Sequence, residues 1–459
     1  VEHKVNIWVH HPPWAVRLAA ILLIFLLLPD GTALQAQDAS SQITVYLEKT
    51  ASSADSILQF GTLTLQGPYA SSPLRLVSPA VSLKDLSLRQ VLLAESEIEP
   101  GEYTLLIVSL PDSSASREDT SSSPFRDVAI EITLSAKQGQ CQAFFLQWLP
   151  SSGSFRLIHK TIPPMGSRMF VSNRQSGNVS VIDRVSQEVV GVIRVGEDPQ
   201  GMAISTRRNL LFVANALSNS VTAIDLRSLL PQAVIPLDFG DEPQALALSS
   251  DGRELYTANR GSSSVTVIDA LNLTHRNKIS VGSAPADIAV DPVSGWVFTA
   301  NSLSDDVSAF QTGSPTSVRS LPVGSKPVSL EVNSGARSLF VANYNSGTIT
   351  QINLSSFSVS GTLNTSRTII DLTADSRAFS LFCAIETLNR VSVLRPALNV
   401  DLVQIPVDPS PAKISLDPEE AYLYVTCSKS NTINQIDKNS GRLKTTIAAG
   451  LGPYAIVFP

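Results

Sequence analysis

Arg174, Arg260, Tyr344 and Glu386 occupy one and the same position in successive copies of an internal repeat, directly after a recurring four-residue line. The remaining copies carry Ala216, Ser302 and Ser428 there. Positions that build a fold tend to repeat. This one does not, which frees it for recognition. Two guanidinium groups, a phenol and a carboxylate suit an anionic or carbohydrate-like ligand, held by planar hydrogen bonds and ring stacking. These four are the expected binding residues. Ordinary drift of a solvated loop is the alternative.

Other chemistry-bearing residues point toward scaffold. Beyond residue 36 only His159 and His275 remain, both in stretches that read as solvated. Covalent haem attachment needs a CxxCH run, and none is present. Cys141, Cys383 and Cys427 have neither metal-ligand nor CxxC spacing and read as buried, inert thiols. With an odd count, at least one is free or paired to another chain. Asp183, Asp225, Asp269 and Asp437 recur at one repeat position, so they are expected to cap a strand end. Asn173, Asn215, Asn259, Asn301 and Asn343 form a second series, expected to hold a turn by side-chain-to-backbone hydrogen bonds. No metal site, catalytic residue or cofactor is expected.

The elements that carry these residues are short strands. The line runs Phe170-Val-Ser-Asn173, Phe212-Val-Ala-Asn215, Tyr256-Thr-Ala-Asn259, Phe298-Thr-Ala-Asn301, Phe340-Val-Ala-Asn343, Phe382-Cys-Ala-Ile385 and Tyr424-Val-Thr-Cys427, at steps of 42, 44, 42, 42, 42 and 42. Four residues after each line stand Gly177, Asn219, Ser263, Asp305, Gly347, Asn389 and Asn431. All but Ser263 are residue types that tolerate positive φ, as a tight hairpin requires. Two further strands follow, then a loop with Pro at 199, 243, 285, 327, 411 and 453, with Ile369 in the remaining unit, and a last strand. Four strands in about 42 residues make a propeller blade. A lone twisted sheet cannot bury its two apolar faces, whereas seven in a ring bury each against a neighbour. The first line lacks a strand before it and the chain ends with a spare one, Tyr454-Ala-Ile-Val-Phe458, which is expected to close blade one as its innermost strand.

The expected fold is therefore all-β: a seven-bladed propeller over 167–459, preceded by a small immunoglobulin-like β-sandwich over 40–150 and a linker at 151–166. Within the first domain, 112–124 reads as a solvated loop. At the front, Leu18 to Leu28 is an uninterrupted apolar run, followed by Pro29-Asp-Gly31 and small residues up to Ala36. It is too short to span a bilayer and has the order of an export signal over 1–36, cleaved after Ala36, with an uncleaved anchor as the alternative. Export to the periplasm, cell surface or medium is expected, with no membrane span in the mature chain. A net charge of −6 without basic runs gives no support to a nucleic-acid partner.

The repeats over residues 168–459 resemble the bacterial YVTN β-propeller family, and the resemblance covers every copy. It implies exported proteins, among them surface-layer proteins, a periplasmic nucleic-acid-binding protein and propeller domains of redox enzymes. Two functions stand on this reading. The first is a non-catalytic binding or surface-interaction protein, its ligand or protein partner held at the loop face of the central channel. The alternative is an exported hydrolase or oxidoreductase, lactonase- or dehydrogenase-like, with its site scattered over the blade loops.

Overall fold

The computed structural model describes residues 40–48, 57–82, 90–111, 125–137, 140–149, 152, 154–313, 317–365, 368–377, 379–398 and 400–459. The expected leader and the 112–124 loop lie outside them. Among the described residues there is no α-helix, and so none long and apolar enough to cross a membrane.

The repeats form seven four-stranded antiparallel sheets. In blades two to seven the strands follow chain order outward, and the first strands of successive blades neighbour one another around the axis. Blade one is completed by the end of the chain: Pro453–Val457 pairs with Arg168–Asn173, with Phe170 opposite Val457 and Val171 opposite Ile456. Phe170, Phe212, Phe298, Phe340 and Phe382 are fully buried, each in the apolar layer between two blades. The turn positions have the expected backbone. Gly177, Asn219, Ser263, Asp305, Gly347, Asn389 and Asn431 all lie at φ between 45° and 62°.

The Asn series works differently from expectation. Each side-chain amide donates to side chains five and seven residues on, as Asn215 does to Ser220 at 3.1 Å and Thr222 at 2.9 Å. The bonds are therefore side chain to side chain, not to the turn backbone. In Asn259 and Asn301 the carbonyl oxygen accepts from Thr257 and Thr299. Where that Thr is a Val, in Asn173, Asn215 and Asn343, the oxygen has no partner. Glycine completes the motif. A Cβ on Gly196, Gly282, Gly324 or Gly450 would stand within 2.7 Å of the next blade's Asn side chain. The Asp series accepts the backbone N–H groups two and three residues on, as Asp225 does from Arg227 at 2.9 Å and Ser228 at 2.7 Å.

Ahead of the ring, two four-stranded sheets share one apolar core that includes Leu47, Leu63, Leu106 and Trp148. One sheet contains a parallel pair, Ser41–Glu48 with Cys141–Leu149. Its edge strand is Ser154–Ile158, so part of the segment expected as a linker belongs to this sheet. The sheet's other face, with Tyr46, Leu92 and Phe145, packs into a cluster with Met169, Val189, Tyr424 and Ile447 of blades one and seven. Glu95 is buried there and accepts from Ser176 Oγ at 2.6 Å and Asn178 Nδ2 at 3.0 Å.

Candidate functional site in the central channel

Each innermost strand begins with a β-bulge, which opens between Pro285 and Asp287, Pro327 and Ser329, Ile369 and Asp371, and Pro411 and Lys413. A bulge re-aims the side chain that follows it. The strand's inner edge has no neighbour to pair its N–H groups, and the re-aimed side chain supplies an acceptor to the next blade. Asp287 accepts from Leu330 N at 2.9 Å, Ser329 from Leu372 N at 3.4 Å, and Asp371 from Ile414 N at 2.8 Å.

Around the ring this position reads Gly201, Ala245, Asp287, Ser329, Asp371, Lys413 and Ala455. Blades one to three contribute small apolar side chains, blade five a hydroxyl, and blades four, six and seven the charge. Lys413 Nζ donates to Asp371 Oδ1 at 2.9 Å and stands 4.0 Å from Asp287 Oδ2. Blades seven and four are not neighbours, so this contact crosses the channel and forms its floor. Asp287 keeps 15% and Lys413 20% of the side chain exposed, so the floor is open to water.

One step deeper along blade five, Glu331 Oε1 accepts from Ala374 N at 3.2 Å and from Thr373 Oγ1 at 3.4 Å. Burial, aided by the Asp371 and Asp287 charges, pushes its pKa up to about 8. Glu331 therefore carries a proton at neutral pH. Burial also raises the pKa of Asp287, against the pull of Lys413. For Lys413 burial favours the neutral amine, but Asp371 and Asp287 outweigh it and hold the ammonium above its ordinary value. A fixed cation beside an accessible carboxylate of raised basicity can polarise a carbonyl and activate water. Among the described residues no three His, Cys, Asp or Glu side chains converge to hold a metal ion.

Of the four residues expected from the sequence, Arg174 alone is linked to this site. It pairs with Asp198 at 2.7 Å, and its guanidinium lies 5.3 Å from the centre of the Tyr454 ring, which has Lys413 Nζ 5.8 Å away. The ring of Tyr344, expected as a stacking face, already carries the Lys326 ammonium at 4.4 Å. Glu386 accepts from Ser410 Oγ at 3.5 Å, and Arg260 is exposed. His159 and His275 are exposed as well. Asp287, Glu331, Asp371 and Lys413 were missed, although the signal that singled out Arg174 applies to them too. Their positions break the repeat, and they put charge into strands that are otherwise apolar.

Comparison with known proteins agrees with the ring. A family model described as lactonase, seven-bladed β-propeller, matches residues 192–319. Among solved structures, a candidate 6-phosphogluconolactonase from Bacteroides fragilis is similar at 16% identity and TM-score 0.56, over 65% of this chain and 99% of that one. Hydrazine synthase of Kuenenia stuttgartiensis is similar at 18% and 0.55, over 61% and 94%. Dihydro-heme d1 dehydrogenase NirN follows at 17% and 0.51, over 62% and 64%. No curated protein matches the sequence. At these identities the structures establish the fold: the chain is a seven-bladed β-propeller. The expectation of a non-catalytic binding protein is corrected. The matching family model is described as that of a lactonase, and the enzyme alternative accounts for it better.

Proposed function

We propose that this protein is a hydrolase of the lactonase kind, opening a cyclic ester with water at the channel floor. The observation that carries the reading is Lys413, held across the channel between Asp371 and Asp287. The carbonyl oxygen of the substrate lies against the Lys413 ammonium. Asp287 takes a proton from water as its oxygen bonds to the carbonyl carbon, and negative charge collects on the oxygen that Lys413 faces. Collapse breaks the ring C–O bond, and the leaving alkoxide takes the proton back from Asp287. Asp371 fixes Lys413 by its 2.9 Å bond, and is itself fixed by Ile414 N and Ser329 Oγ. Glu331 stays neutral and spares the floor a third negative charge. A pH-stat assay on a panel of lactones tests this. Ring opening by the wild type that Lys413→Met abolishes supports it, and equal rates for the two reject it.

The repeats are proposed to belong to the YVTN family, on the lines quoted above, and the chain to be exported, on its leader-like front. N-terminal sequencing of protein from the cell envelope should begin near Gln37. A full-length cytoplasmic product would refute export.

A further inference from the structure

The two N-terminal sheets border an open cavity of about 700 Å³, to which no residue of the ring contributes. Its walls come from Gly101–Pro111 and Phe125–Ala136 of one sheet and from Cys141–Leu149 and Ser154–Ile158 of the other. A β-bulge shapes it. Tyr103 stands opposite Leu134 and Leu105 opposite Glu131, so Ile132 and Thr133 together face Thr104 alone. All three bulge residues line the cavity. A bulge bends its strand and re-aims side chains, and it recurs beside functional sites. On the other sheet, strand pairing ends with Ile158 opposite Phe145, and His159, the next residue, completes the wall.

The lining divides by exposure. Ile132 and Phe144 are buried in the apolar core between these sheets, and Leu157 packs against it, so these three form the floor. Thr104, Glu131, Thr133, Gln142 and His159 are exposed and form the rim. Among the described residues, none of these five side chains is engaged in a hydrogen bond or an ion pair, so a ligand has no internal bond to displace. An apolar floor with a few polar groups around it is the build of a small-molecule site, and such sites have volumes of about 300–1,000 Å³. The rim then narrows the ligand class. No Lys or Arg lines the cavity, so the cations that phosphate, sulfate and carboxylate groups call for are missing. The Glu131 carboxylate accepts hydrogen bonds, while the Gln142 amide, the His159 imidazole and the two Thr hydroxyls both donate and accept. A ligand dense in neutral hydroxyls, with a C–H face to set on the floor, satisfies this set. That is the chemistry of a saccharide.

We propose that this cavity is a second binding site, which takes an uncharged saccharide with its C–H face on Ile132, Phe144 and Leu157 and its hydroxyls on Glu131, Gln142 and His159. It stands apart from the channel and does not depend on the hydrolase reading. Calorimetric titration of the full chain tests it. Maltohexaose, cellohexaose, laminarihexaose and N-acetylchitohexaose serve as neutral probes, and chitohexaose and a heparin hexasaccharide as cationic and anionic ones. At least one neutral probe should bind, and more tightly than either charged one. Glu131→Ala should weaken that binding at least about tenfold, since a hydrogen bond to a charged group is lost. Gln142→Ala should weaken it less, and both variants should melt at the wild-type temperature. Asp287→Asn, in the channel, should bind the same probe as wild type does. Absence of binding by all four neutral probes, or tighter binding of a charged one, overturns the proposal. Binding that survives Glu131→Ala and Gln142→Ala unchanged, or that fails in Asp287→Asn alone, puts the saccharide elsewhere and overturns the site.

Discussion

Lys413 stands 4.0 Å from Asp287, three blades away in the chain, and this contact makes one site of side chains from opposite sides of the ring. Replacing the lysine should act on both catalysis and stability. Lys413→Met removes the group facing the developing oxyanion and should cost about 10²–10³ in kcat. It also leaves Asp371, 7% exposed, without its cation, a change of the kind that costs about 3–5 kcal/mol. Asp287→Asn should lose comparable activity with less loss of stability. Arg260→Ala, at the exposed rim, should stay within about 0.5 kcal/mol of wild type and keep full activity. Rates and thermal melts on the three variants check the pattern. Loss of activity in Arg260→Ala alone would move the site to the rim.

Glu331 links stability to pH. Its folded pKa of about 8 is raised above the ordinary glutamate value near 4.5. Between those two values the folded protein holds a proton that the unfolded chain has released. Stability therefore falls as pH rises through this window and levels off above about pH 8. Glu331→Gln has no proton to lose, so its melting temperature should overtake that of wild type between pH 5 and 8. Parallel melting curves for the two proteins across this range would show that the carboxyl is not held neutral.

The ring was legible because the blade problem is solved identically seven times. A buried aromatic and a turn residue at positive φ recur in all seven units, and a Pro at the head of the inner strand in six of them, every 42 residues or so. The channel floor was not legible, because its residues come from four blades and no two share a local motif. Lys413 and Asp287 lie 126 residues apart, and only closure of the ring brings them together. Ser263 shows a further limit. Its type does not announce positive φ, yet φ is +53°, because the hairpin of blade three imposes the geometry its six counterparts also adopt. The junction with the N-terminal sheet was hidden for another reason. Tyr46, Leu92 and Phe145 look like ordinary core residues of a strand, and nothing in their spacing says which partner covers them.

That junction predicts how the chain unfolds. Tyr46, Leu92 and Phe145 share a core with Met169, Val189 and Ile447, and Gln90 exchanges two hydrogen bonds with the Val189 backbone, at 2.8 and 3.1 Å. Residues 165–459 alone would expose this cluster. Scanning calorimetry of the described chain should therefore show one transition for sheet and ring together. The isolated ring should melt lower and bind a hydrophobic dye. Two well-separated transitions would mean that the shared cluster contributes little.

The strand Pro453–Val457 bears the greatest structural load for its length. It fills the innermost place of blade one, pairing with Arg168–Asn173, and Ile456 and Leu451 are buried in the cluster shared with blade seven and the N-terminal sheet. Without it, the inner edge of Arg168–Asn173 would lie open in the channel, an unpaired strand edge of the kind that recruits other chains. The bond from Ala455 N to Ser172 Oγ at 3.0 Å would go as well. So would Tyr454, the ring between Arg174 and Lys413. Deleting 451–459 should lower the melting temperature of the whole ring and promote aggregation, not loosen one blade. A milder change separates closure from simple truncation. Ile456→Ala removes buried apolar volume and should cost about 2–5 kcal/mol, while keeping every backbone bond of the strand. The deletion should cost clearly more than this. Light scattering and thermal melts of the two variants decide the matter: if deletion and point change cost the same, the strand acts through its apolar side chains and not through closure.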